Sequence, residues 1–103
     1  MNVPSLRKRI DRIDRQLLCL LNQRAQLALR VGQIKQRQQR PVFDKRRETE
    51  VLRRLSRANP GPFSSDAIQQ MFRNILRQSR KLEAATSKGR DVSMFSSEKP
   101  ARK

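Results

Sequence analysis

Eight apolar residues, spaced alternately by four and by three, constrain this chain more than anything else in it. Leu6, Ile10, Ile13, Leu17, Leu20, Leu27, Val31 and Ile34 fall along one stripe of an α-helix, a seam of the kind that packs lengthwise on other helices. Pro4 and Ser5 are placed to start that helix. No breaker follows before Pro41, so the helix is expected from Leu6 to about Gln39. At 1.5 Å per residue it measures roughly 50 Å, more than the width of a compact domain of this size. The rest of a 103-residue chain cannot cover such a rod. The seam therefore predicts a second copy of the protein, in an intertwined helical homodimer with two-fold symmetry.

One beat of the seam, between Leu20 and Leu27, is occupied by Arg24. A guanidinium keeps its charge at any ordinary pH, and a charge on a buried stripe is costly unless an anion meets it. Either a buried carboxylate or an escape to solvent satisfies Arg24, or a bound anion does. Gly32 is a second irregularity, costing on the order of 1 kcal/mol relative to Ala in a helix interior. It is either tolerated near the helix end or required by the close approach of a neighbouring backbone or ligand.

Beyond Arg40-Pro41-Val42-Phe43, an extended connection, Asp44 is a good N-cap for a second helix over about 45–58, with Val51, Leu52 and Leu55 as its apolar face. Arg47 and Glu48 lie in its first turn, beside the cap. Asn59-Pro60-Gly61-Pro62 is a turn. Ser64 or Ser65 then caps a third helix, on which Ile68, Phe72, Ile75 and Leu82 repeat the four–three rhythm. Ser79 fills the gap in that rhythm, and a buried hydroxyl there can simply bond back to the preceding turn. Glu83 follows one turn later on the same side. The expected fold is all-α, three helices with a very long first one, in a domain spanning 1–87. Residues 88–103 are rich in Ser, Lys and Arg and read as a basic, disordered tail whose apolar points are Val92, Met94 and Phe95.

Composition narrows the chemistry. Twenty-five Lys and Arg against nine Asp and Glu give a net charge of +16, which suits an anionic partner of some kind: nucleic acid, membrane surface or small molecule. The excess is +8 over residues 1–40, +5 over 41–87 and +3 over 88–103, so no patch dominates. Without an aromatic platform beside the cations, nucleic acid is the weaker candidate. The chain has no His, the commonest general base and metal ligand. No metal-ligand spacing, phosphate loop or nucleophile–base pair stands out, so neither metal nor cofactor is expected. The single cysteine, Cys19, reads as a small packing residue in a reducing compartment. The longest apolar run, Leu17 to Leu21, is too short to span a bilayer, and the first residues lack a signal-peptide core. A soluble, cytoplasmic protein is expected.

Helical geometry groups the polar intruders. Eleven steps of 100° separate Arg24 from Lys35, leaving both on nearly the same face about 16 Å apart. Arg7, seventeen steps before Arg24, is about 100° off that face and some 25 Å away. It cannot share Arg24's site within one chain. In an antiparallel pair of these long helices, it can reach the partner's.

The same residues carry a resemblance. Leu6-Arg7-Lys8-Arg9-Ile10-Asp11-Arg12-Ile13-Asp14, Leu17 through Arg24 and Val31-Gly32-Gln33-Ile34-Lys35 resemble the first helix of the all-helical chorismate mutases. Pro41-Val42-Phe43-Asp44-Lys45-Arg46-Arg47-Glu48 resembles that family's second block, and Phe72-Arg73-Asn74-Ile75 through Ser79-Arg80-Lys81-Leu82-Glu83 its third. The likeness covers about residues 5–85 in register. It implies the Claisen rearrangement of chorismate to prephenate, on the way to phenylalanine and tyrosine, in a homodimer with shared sites. It also implies roles. Arg24, and Arg7 from the partner subunit, bind the two substrate carboxylates, and Lys35 faces the ether oxygen and a neighbouring carboxylate. Asp44 and Glu48 meet the ring hydroxyl, Arg47 and Ser79 line the pocket, and Glu83 contacts the ether oxygen.

A pericyclic reaction needs no nucleophile, metal or general base. It needs a dianion held in its reactive conformer, with donors where charge builds on the breaking C–O bond. Glu83 suits that task only as a neutral acid, so it is expected to work protonated. Burial and the substrate's charge push its pKa up, and Lys35 and Arg24 push it down. Its plainer alternative is an exposed carboxylate paired with Arg80. Three other functions compete: an isochorismate pyruvate-lyase of the same fold, a basic helical dimer that binds nucleic acid, and a domain docked on another enzyme of aromatic biosynthesis.

Overall fold

The structure is a computed structural model and describes residues 2–87, with side chains described as far as Ala85. The basic tail, including Met94 and Phe95, lies outside the described residues. Three helices and their connections make up the described chain: α1 (Val3–Arg37), α2 (Lys45–Ala58) and α3 (Ser65–Ser87). None of them is long and apolar enough to cross a membrane.

Local chemistry sets each boundary. Asn2, not Ser5, caps α1, its Oδ1 accepting the backbone N–H of Ser5 at 2.9 Å, with Pro4 tolerated inside the first turn. At the other end α1 stops two residues short of Gln39. Gln39 adopts φ 58°, Arg40 N–H bonds to Lys35 O at 2.7 Å, and Gln39 N–H bonds to Gln36 O at 3.0 Å. This is a Schellman motif, with glutamine at the left-handed position glycine usually takes. Asp44 caps α2 as expected, Oδ1 accepting Arg47 N–H at 3.0 Å. Ser64 does the same for α3, Oγ accepting Ala67 N–H at 3.1 Å.

α3 is the element both others pack against. Glu48 meets Arg80, and Ser56 Oγ accepts from Gln69 Nε2 at 2.9 Å, so α2 and α3 run antiparallel. The turn between them is held by Asn59, whose side chain donates to Phe63 O at 2.7 Å and accepts Gly61 N–H at 3.0 Å.

The buried core does not lie on the predicted stripes. Among the described residues, Leu29 and Leu76, 2% and 6% exposed, are the buried hydrophobic ones, and Gly32 is buried with them. Ala25, Leu29 and Gly32 form a second stripe on α1, pointing away from the seam, since Leu27 and Leu29 are about 200° apart around the axis. The seam is open along the single chain, from Leu6 at 39% exposed to Leu27 at 62%. Cys19, expected to pack, is also exposed, with Gln23 Nε2 directed at its Sγ at 3.2 Å. A rod 35 residues long has too little chain beside it to cover its first half.

Candidate active site

The three helices line an open cavity of about 310 Å³. Its first wall is the later part of the α1 seam: Arg24, Leu27, Ala28, Val31 and Lys35 recur at helical spacing and face one space. The connection contributes Val42, and the start of α2 contributes Asp44, Arg47, Glu48 and Val51. The last wall is α3, with Leu76, Ser79, Arg80 and Glu83. Apolar side chains thus floor a space rimmed by charge, where ionic interactions are stronger than in open water.

Every candidate residue except Arg7 lines this cavity. Arg24 and Lys35 are half-buried on α1, as their near-common face requires. Arg7 is exposed, far along α1 from the cavity. Arg47 reaches the rim only: its guanidinium pairs with Glu50 at 3.5 Å and its side chain is more than half exposed. Gly32 is closely approached, by a side chain of α3 and not by the backbone or ligand expected. A Cβ there would lie 3.3 Å from Glu83 Oε1 and 3.4 Å from its Cγ, so the glycine lets the carboxyl lie against α1.

Glu83 is half-buried and its pKa is raised from the ordinary glutamate value. Burial is the main cause. The Ser79 hydroxyl, which donates to Oε2 at 3.3 Å, and the charges of Lys35 and Arg24 oppose it, while Glu48 adds to it. The side chain therefore keeps its proton to higher pH than a solvated glutamate does.

Arg80 does not pair with Glu83. Its Nη1 donates to Glu48 Oε1, and its guanidinium carbon sits 4.8 Å from the centroid of the Phe43 ring. Sequence reasoning considered Arg80 only as an alternative partner for Glu83. Its position three residues before Glu83 was the available signal that it lies on the same side of α3. With it, Arg24, Lys35, Arg47 and Arg80 oppose Asp44 and Glu48, a surplus of two positive charges when Glu83 is protonated. That surplus matches a dianion.

Comparisons with known proteins identify the family. The family model described as chorismate mutase type II matches residues 6–84. A bifunctional chorismate mutase/prephenate dehydratase of Aquifex aeolicus is 40% identical over 82 residues, 76% of this chain and 23% of that protein. The corresponding Neisseria gonorrhoeae protein is 36% identical over 77 residues, covering 75% and 21%. The chain thus spans less than a quarter of the length of these curated relatives. Among solved structures, form II of the chorismate mutase from Thermus thermophilus superposes with a TM-score of 0.78 at 37% identity, covering 79% of this chain and 92% of that one. The Helicobacter pylori chorismate mutase in complex with prephenate gives a TM-score of 0.78 at 30% identity, covering 85% and 96%.

Proposed function

The chain belongs to the type II chorismate mutase family, and on that premise we propose that it converts chorismate to prephenate in this cavity. The observation that carries the reading is the convergence of Arg24 and Lys35 from α1 with Ser79 and Glu83 from α3 around an apolar floor. In the reaction the ether C–O bond breaks as a C–C bond forms within the same molecule, so the protein's work is to hold the compact conformer and stabilise developing charge. Arg24 grips one carboxylate. Lys35 and protonated Glu83 direct hydrogens at the ether oxygen, where negative charge grows. Asp44 and Glu48 accept from the ring hydroxyl, and Ser79 and Arg47 line the entrance.

The open α1 seam and the remoteness of Arg7 support a shared site. A second copy laid antiparallel along Leu6–Ile34 buries the exposed row and brings Arg7 of the partner subunit to the other substrate carboxylate. On this reading the protein works in the cytoplasm as a homodimer, without metal or cofactor.

Chorismate consumption by the purified chain tests the proposal, with isochorismate as a parallel substrate. Wild type is expected to consume chorismate and form prephenate. Arg24→Ala and Lys35→Ala each lower kcat/KM by about 100-fold or more, the usual cost of losing a donor to developing charge. Arg7→Ala and Arg24→Ala are each expected to be strongly impaired, and mixing them after unfolding and refolding to restore activity, because one site per heterodimer then keeps both arginines. No chorismate consumption, or pyruvate release from isochorismate alone, refutes the mutase reading. Mixing that restores nothing refutes the shared site.

A further inference from the structure

A site that binds a dianion has little reason to tolerate carboxylates on its wall, and Glu48 is one of them. It stands in the first turn of α2, where the helix dipole favours a negative charge. Its side chain is only 21% exposed, and an acid so enclosed beside an anionic ligand needs a fixed countercharge. Arg24 and Lys35 belong to the opposite wall, and Arg47 is drawn outward to Glu50. Arg80 from α3 supplies that countercharge. Its side chain is 34% exposed, it donates to Glu48 Oε1, and its guanidinium lies over the Phe43 ring. The aromatic face restricts the guanidinium on one side while the carboxylate holds it on the other.

We propose that Arg80 is a positioning residue for the proposed rearrangement. By engaging Oε1 it holds the Glu48 carboxylate at the cavity wall, with Oε2 left to accept the ring hydroxyl, and it offsets the charge that would otherwise repel the substrate. Arg80 acts through Glu48 and does not touch the reacting atoms. The same ion pair ties α2 and the Phe43 connection to α3, so the hydroxyl-binding wall is fixed relative to the wall that carries Ser79 and Glu83. This inference rests on the mutase reading given above.

A double-mutant cycle on the full chain tests it, with kcat and KM for chorismate measured for wild type, Arg80→Met, Glu48→Gln and the double variant. Arg80→Met keeps the long apolar stem and removes the charge. It is expected to lower kcat/KM about tenfold in the wild-type background and less than twofold in the Glu48→Gln background, because the group it positions is already altered there. Arg80→Lys recovers part of the loss, since a point charge restores the neutralisation but not the fork geometry. Thermal melting accompanies each assay. A purely structural brace predicts a different pattern: the same fold-loss in both backgrounds, tracking the fall in Tm. That pattern overturns the proposal, and so does an Arg80→Met variant with unchanged kcat/KM. If Arg80→Met does not fold, the Arg80→Lys pair of backgrounds gives the same comparison. A wild type that turns over chorismate but lacks the coupling defeats this inference alone, whereas a wild type inert toward chorismate defeats the mutase reading beneath it.

Discussion

Replacing Gly32 with Ala should raise the stability of this protein and lower its activity. Gly32 lies five residues before the end of α1, and a glycine in a helix interior costs on the order of 1 kcal/mol against alanine. The added methyl group would meet Glu83, with Oε1 at 3.3 Å, Cγ at 3.4 Å and Cβ at 3.5 Å. The last two are ordinary contacts. Only the carboxyl must give way, by a few tenths of an ångström, and a terminal carboxyl can swing at little cost. The helix therefore keeps most of its gain, worth about 4–8 °C in Tm for each 1 kcal/mol in a domain of this size. Catalysis does not escape so lightly, because misplacing a catalytic group by about 1 Å costs on the order of 100-fold. A shift of a few tenths should cost about three- to tenfold in kcat. Melting curves at one protein concentration and initial rates on chorismate are sufficient to check this. In a Glu83→Ala background Gly32→Ala should keep its gain in Tm and have no further effect on rate. A fall in Tm of several degrees, or an unchanged kcat, would refute the argument that Gly32 is there to admit the Glu83 carboxyl.

Four further outcomes are expected. On the proposed role of Glu83 as a neutral donor, kcat/KM should fall toward tenfold per pH unit above its pKa, and Glu83→Gln should flatten the profile; a wild-type profile already level from mildly acidic to mildly basic pH contradicts this. The same raised pKa makes the folded state favour the protonated side chain. That stability is complete below the ordinary carboxylic-acid range and lost as pH rises through Glu83's folded-state pKa, so Glu83→Gln should raise Tm at neutral pH and leave it unchanged near pH 3. At Asp44, cap and site separate by chemistry: Asp44→Asn keeps the cap and loses activity, whereas Asp44→Ala also costs about 1 kcal/mol of stability, measured by urea unfolding. Leu29→Ala and Leu76→Ala should each cost about 2–5 kcal/mol at every protein concentration. Leu17→Ala, on the open seam, should instead lower Tm most at low concentration, as a dimer contact does; equal behaviour of all three would count against the second copy.

Much of this architecture is written locally. The Asp44 cap, the span of α2 and the start of α3 follow from side chains bonding to backbone two or three residues away; the Asp44 cap and the 45–58 span stand as expected, and of Ser64 and Ser65 it is Ser64 that caps α3. The candidate site was legible for a related reason. Arg24, Ser79 and Lys35 stand out because a charge or hydroxyl interrupts or flanks an apolar rhythm, and helical geometry alone places Arg24 and Lys35 on one face. Where local chemistry was ambiguous, the reading slipped by little: α1 ends at Arg37 because Gln39 turns left-handed, a conformation its side chain does not advertise.

What the sequence could not decide is which stripe meets which neighbour. α1 carries two, and periodicity reports the stronger one, the Leu6–Ile34 seam, although the chain buries Leu29 and Gly32 on the other, with Ala25 half-buried beside them. Likewise Glu48 and Arg80 lie 32 residues apart, and nothing near either names the other as its partner. Caps and periodicity are settled over a few residues, at energies local to one helix. The rotation of one helix against another is settled by the summed packing of both. For that reason the long helix, its polar interruptions and their chemistry can be read from the chain, whereas the Glu83–Gly32 contact and the Arg80–Glu48 pair exist only once α3 has docked.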